Sequence, residues 1–88
     1  LYMSFRDAKN ITVYADEIDK KLEQIYFKLE QKKQQLIKEC KTKGDAKRIT
    51  DMYDDLGILN PRVMDAKQTL RYLLSDINVM IEKHELKE

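Results

Sequence analysis

Only a few residues in this chain have the types and spacing that chemistry would need. His84 is the single histidine and Cys40 the single cysteine. A histidine acting as ligand or proton carrier needs companions, and none stands near His84 in sequence. A nucleophilic cysteine needs a base; Lys41 and Lys43 can favour the thiolate of Cys40, but no histidine or carboxylate is spaced to form a pair with it. Asp51, Asp54 and Asp55 cluster on one side of a helical segment, without the glycine turn and alternating oxygen ligands of a calcium loop. Asp16, Glu17, Asp19 and Glu23 alternate with Lys20 and Lys21 in the mixed pattern of a solvated helix. Neither a Gly-rich phosphate loop nor a Ser-His-Asp set can be assembled, so the chain reads as a non-enzyme with no cofactor and no metal.

One charge cluster stands out. Between Lys28 and Arg48 the chain carries Lys28, Lys32, Lys33, Lys38, Lys41, Lys43, Lys47 and Arg48 against Glu30, Glu39 and Asp45. Such a surface attracts phosphate backbones without any base-reading motif. Lys32, Lys33, Lys38, Lys41, Lys43, Lys47 and Arg48 are therefore the candidate anion-binding residues. Against this, no aromatic is interleaved to stack on bases, and the net charge of +1 gives no overall attraction to nucleic acid. The alternative reading is a solubilising helix end.

The elements that position these residues are helices. Two glycines, one proline, 42% hydrophobic and 38% charged residues suit long solvated helices better than sheets, and 88 residues make one domain with one core. In the first half Ala8, Ile11, Ala15, Ile18, Leu22, Ile25, Leu29 and Leu36 alternate three and four apart, with Lys32 the interruption, which predicts one helix over about 8–43 stopped by a left-handed Gly44. Ile49, Met52, Tyr53 and Leu56 predict a short helix over about 45–56, with Asp45 as N-cap and Gly57 as its stop. Asn60 and Pro61 then look like the cap and first turn of a third helix over about 61–86, whose seam is Val63, Ala66, Leu70, Leu73, Ile77, Met80 and His84.

The fold class that follows is all-α: an antiparallel helical hairpin with a broken second arm, three helices in all, dimerising into a four-helix-type bundle. Leu74 and Ile81 widen the last stripe beyond a two-helix seam, and a lone hairpin leaves much of both arms wet. The expected oligomer interface is Ile18, Leu22, Ile25, Leu29, Leu70, Leu73, Leu74, Ile77 and Ile81.

The segment Gly57-Ile58-Leu59-Asn60-Pro61-Arg62-Val63-Met64, with Gln68 and Leu70 after it, resembles the start of the second helix in the small helical-hairpin aspartyl-phosphate phosphatases of the sporulation phosphorelay. It covers under a quarter of the chain. The resemblance implies a regulatory hairpin that docks on a phosphorelay partner. That family's serine, glutamine and aspartate fall here on Lys67, Gln68 and Arg71, so only the glutamine is kept.

Function at this level is a non-enzymatic protein–protein interaction or oligomerisation module, a small regulator working as a homodimer with a protein partner. The alternatives are a nucleic-acid-associated protein using the basic end, and the phosphorelay-type hairpin. No apolar run is long enough for a membrane span, and the single cysteine fits a reducing compartment, so cytoplasm is expected. Lysine far outnumbers arginine while Ile, Asp and Tyr are plentiful, a composition shared with AT-rich genomes such as those of phages, viruses and low-GC bacteria. For a viral chain the compartment would be the host-cell cytoplasm.

Overall fold

The computed structural model describes residues 2–42 and 44–87. Two helices, α1 (Phe5–Thr42) and α2 (Ala46–Lys83), each of 38 residues, fold back on one another as a hairpin of 63 × 18 × 16 Å. No strand occurs among the described residues, and none of the helices is long and apolar enough to cross a membrane.

Helix α1 starts with a reciprocal cap. The Asp7 N–H donates to Ser4 Oγ at 3.1 Å while the Ser4 N–H donates to Asp7 Oδ2 at 3.0 Å, which satisfies two of the free donors of the first turn. Those bonds, the backbone one first, hold the Asp7 carboxyl below the usual aspartate range. A depressed folded-state pKa stabilises the cap above the ordinary value of about 3.9 and loses that stabilisation as pH falls through the lower folded value. Protection of the first turn against hydrogen exchange should therefore fall in acid, and Asp7→Asn, which removes the titrating carboxyl, should abolish that pH dependence. Unchanged acid sensitivity in Asp7→Asn would mean that the cap is not its source.

Helix α2 corrects the expectation of three helices. It runs without interruption through Gly57 and Pro61, so the segments expected over about 45–56 and 61–86 are one element. Pro61 has no N–H for the Gly57 carbonyl, and its ring presses on that same carbonyl four residues back. The residue that must yield is a glycine, whose backbone tilts with little steric resistance. No atom lies within 4 Å of a Cβ built at Gly57, so the residue has open space around it in which to adjust. The break fails to form because the apolar register does not slip across it.

Other boundary expectations change too. Asp45 occupies the N-cap position but its side chain makes no capping hydrogen bond, and no glycine among the described residues has a positive φ. Asn60 is no cap: it is a buried residue in mid-helix. The end of α2 is instead closed by backbone, with the Glu85 N–H donating to the Glu82 carbonyl and the Leu86 N–H to the Ile81 carbonyl. Glu85 takes the left-handed conformation there, at φ 51°, where glycine is the usual choice.

The pairing of the helices follows a seven-residue repeat in both. On α1 the residues facing α2 are Ala8, Thr12, Ala15, Asp19, Leu22, Tyr26, Leu29, Lys33, Leu36 and Cys40, all buried or half-buried. On α2 they are Ile49, Tyr53, Leu56, Asn60, Val63, Lys67, Leu70, Leu74, Ile77 and Ile81. Every step is four or three residues, the spacing of a coiled-coil seam. Half of the expected seam is therefore right. The other half is displaced by one residue, with Asp19, Tyr26, Lys33 and Leu74 in place of the exposed Ile18, Ile25, Lys32 and Leu73, while Ile11, Ala66 and Met80 stay half-buried beside Thr12, Lys67 and Ile81.

Candidate interaction surface

The displaced register puts polar residues inside the hairpin and leaves apolar ones outside. Lys67 is 7% exposed, with its Nζ 3.5 Å from Asp19 Oδ1 and 3.6 Å from Glu23 Oε1. One turn of pairing nearer the hairpin bend, Asn60 Nδ2 donates to Glu30 Oε1, and Lys33 Nζ lies 3.6 Å from that same oxygen. Lys33 also stands 5.3 Å from the centre of the Tyr53 ring, a cation–π distance. Asn60 Oδ1 is buried without a hydrogen-bond donor. Buried polar pairs of this kind add little net stability, but they fix which residues lie opposite one another.

Removing one partner should be costly. Lys67→Met would leave Asp19 Oδ1 buried without its cation; because the Asp19 side chain keeps 31% of its surface in water, the expected loss is about 1–3 kcal/mol by chemical denaturation. Adding Asp19→Leu should recover all of it or more. A double variant no more stable than Lys67→Met would show that the pair contributes more than register.

The expected interface residues divide between two locations. Ile77 is buried in the hairpin seam, and Leu22, Leu29, Leu70, Leu74 and Ile81 are half-buried along it. Ile18, Ile25 and Leu73 stand outside the seam, at 51%, 46% and 42% exposure. The outsiders share one flank. On α1 it carries Ile11, Ile18 and Ile25, each just before a polar seam residue, and on α2 Met52, Leu59, Leu73 and Met80, also each one residue before a seam position. The two flanks meet on one side of the hairpin, where Lys32 and Met52 line a common groove with Leu36 and Leu56. Tyr14 borders the flank on α1, whereas Ile58, Tyr72 and Val79, midway between seam positions, are exposed on the face of α2 turned away from α1. The opposite side carries Glu23 and Glu30 from α1 and Pro61, Gln68 and Ser75 from α2, together with exposed Val13, Phe27, Ile37 and Met64.

The chemistry-bearing candidates do not converge. Lys33 is turned into the seam, Lys32 donates to Gln35 Oε1 at 3.3 Å, and Lys38, Lys41, Lys47 and Arg48 are exposed around the bend; Lys43 lies outside the described residues. Cys40 is half-buried against Ile49 and Tyr53, while His84 is exposed at the end of α2. Asp51, Asp54 and Asp55 are exposed, and no cluster able to hold a metal ion forms among the described residues. Lys67, at the position of the phosphorelay family's serine, is enclosed by Asp19 and Glu23.

Sequence reasoning missed the Lys67–Asp19–Glu23 and Asn60–Glu30–Lys33 sets. The signal was present, since Asn60 and Lys67 fall on the repeat of Tyr53, Leu74 and Ile81, interleaved with that of Ile49, Leu56, Val63, Leu70 and Ile77, and need partners of matching polarity there.

The fold is a two-helix hairpin with an exposed apolar flank of Ile18, Ile25, Leu59 and Leu73 on one side and a mixed polar and apolar surface on the other. Comparison of the chain with family models, curated proteins and solved structures gives no match.

Proposed function

We propose that the protein is a homodimerising helical module whose apolar flank packs against a second copy to complete a four-helix bundle, a non-catalytic scaffold for protein–protein interaction. The observation that carries this reading is the second apolar stripe. A helix with one neighbour needs the two-sevenths stripe of a coiled coil, whereas a helix in a bundle needs three-sevenths. Both helices have the wider stripe and use only part of it within the hairpin.

Surface area points the same way. A compact monomer of 10.5 kDa exposes about 5,400 Å², and this chain exposes 7333 Å². The excess is more than the roughly 800 Å² per partner that a stable interface covers. Among the described residues no large side chain is fully buried, and the lone cysteine offers no internal disulfide to stabilise so thin a core.

The test is to put a charge on each side in turn. Ile18→Glu with Leu73→Glu should abolish self-association while the hairpin stays helical, and Gln68→Glu with Ser75→Glu on the opposite side should leave it intact. Tight duplex binding at physiological salt, falling with a log–log slope of about −0.9 per phosphate and lost on reversing Lys41 and Lys47, would replace this reading with the nucleic-acid one.

A further inference from the structure

We infer that the hairpin has a second arrangement, reached by turning α1 and α2 against each other by about 50°, in which the apolar flank becomes the seam and the buried polar residues turn outward. The flank is then used within the chain, so the choice of seam regulates dimerisation. That consequence rests on the dimer reading; the rotation itself belongs to the single chain.

Each helix carries two interleaved seams that share one column. On α2 the shared column is Ile49, Leu56, Val63, Leu70 and Ile77. The hairpin completes it with Tyr53, Asn60, Lys67, Leu74 and Ile81, yet Met52, Leu59, Ala66, Leu73 and Met80 would complete it with apolar residues alone. On α1 Ala8, Ala15, Leu22, Leu29 and Leu36 are shared in the same way, between the column of Asp19 and Tyr26 and that of Ile18 and Ile25. The buried hydrophobic residues Ala8, Ala15, Leu36, Ile49, Val63 and Ile77 all belong to the shared columns, whereas the buried polar residues Asn60 and Lys67 belong to the column in use. The rotation therefore keeps the core and exchanges only what stands beside it.

The movement is small. In this antiparallel pair the two unused columns lie on one side, so the helices turn like meshed gears. Shifting each seam by one column takes half of the angle of about 100° between consecutive residues, and carries a Cα about 2 Å at the helix radius. Ile11, Ala66 and Met80 are already half-buried at the edge of the seam, and the bend at Gly44 has open space around it.

Opposing effects set the balance. The turn buries Ile18, Ile25, Leu59 and Leu73, and returns Lys67 and Asn60, whose Oδ1 has no hydrogen-bond donor, to water. Against that, it separates Lys67 from Asp19 and Glu23, uncovers Leu74 and Ile81, and brings Lys32 and Glu39 into the seam. Those two charged residues spoil the apolar seam at its bend end and keep the described arrangement the main one. A second copy covers the flank only in that arrangement, so dimerisation and rotation compete.

Thiol labelling of the dilute, monomeric chain tests the rotation. In a Cys40→Ser background, Leu73→Cys reports the flank and Leu74→Cys the seam, each by its rate of reaction with a neutral maleimide. Lys32→Leu completes the apolar seam beside Met52 and Leu56, about 25 Å along α2 from Leu73. It should slow Leu73→Cys and speed Leu74→Cys, changing their ratio on the order of tenfold, the shift expected from burying one leucine. Asp19→Leu with Lys67→Met, which makes the seam in use more apolar, should move the ratio the other way. Unchanged rates in Lys32→Leu, or a change of both in one direction, would overturn the second arrangement. A wild-type chain that stays monomeric at high micromolar concentration would instead remove the dimer reading and the regulatory consequence, an outcome separate from the labelling result.

Discussion

Pro61→Ala should stabilise the hairpin by about 2 kcal/mol. In a helix interior proline costs about 3 kcal/mol through its missing donor and its clash with the carbonyl four residues back. It returns part of this, about 0.4–1 kcal/mol, by restricting the unfolded chain. For a domain of this size the gain corresponds to a rise of roughly 10 °C in Tm. The same geometry predicts coupling with Gly57. In the parent chain, with Pro61 in place, Gly57→Ala should give little, since the yielding carbonyl belongs to that residue. Once Pro61→Ala has been made, Gly57→Ala should add about 1 kcal/mol, the ordinary difference between alanine and glycine in an exposed helix with open space at Cβ. Destabilisation by Pro61→Ala would mean that the proline is a true boundary and that α2 is two elements.

The second large effect contrasts two neighbours on α2. Ile77, at 6% exposure, sits in the hairpin seam, so Ile77→Ala should cost about 2–4 kcal/mol in dilute and concentrated solution alike. Leu73, one turn away on the free flank, should behave differently. In dilute solution, where the hairpin is alone, Leu73→Ala should change stability by about 0.5 kcal/mol or less. In concentrated solution, where the dimer buries it, the loss should approach that of Ile77. Urea titrations at protein concentrations about a hundredfold apart measure both, since a dimer's stability depends on concentration. If Leu73→Ala has the same small effect at both concentrations, the flank is not covered by a second copy.

The hairpin itself was legible from the sequence, because the apolar residues of both halves repeat every seven positions and the bend at Gly44 is too short for anything but reversal. The choice of seam was not. Ala8, Ala15, Leu22, Leu29 and Leu36 belong to either of two stripes, one completed by Ile11, Ile18 and Ile25 and the other by Thr12, Asp19 and Tyr26. Hydrophobicity ranks the first stripe higher, yet the hairpin uses the second. The reason is that a bundle helix has two neighbours, and the more apolar stripe need not belong to the one in its own chain. The polar stripe identifies itself only when both halves are read together, for Asp19 then finds Lys67 and Glu30 finds Asn60.

The false break at Gly57 has a related cause. Gly, Asn and Pro are strong local stop and start signals, and each was read locally. Ile49, Leu56, Val63, Leu70 and Ile77 keep one seven-residue phase straight across them, which two independent helices would have no reason to share. Packing against α1 along that phase outweighs a local penalty of about 3 kcal/mol. The candidate interface was legible in part: Ile18, Ile25 and Leu73 are exposed on the flank, whereas Leu74 and Ile77 serve the hairpin's own seam. Tyr14 and Tyr72 fall off the seam in the repeat, and both are exposed.

Sedimentation equilibrium of the unmodified chain from low to high micromolar concentration tests the central claim most directly. The account predicts a mass of twice 10.5 kDa at the upper end, with a reversible shift toward 10.5 kDa on dilution and no species beyond the dimer. A single 10.5 kDa species throughout, with α1 and α2 fully helical, would contradict it, because the exposed flank of Ile18, Ile25, Leu59 and Leu73 would then need no second copy.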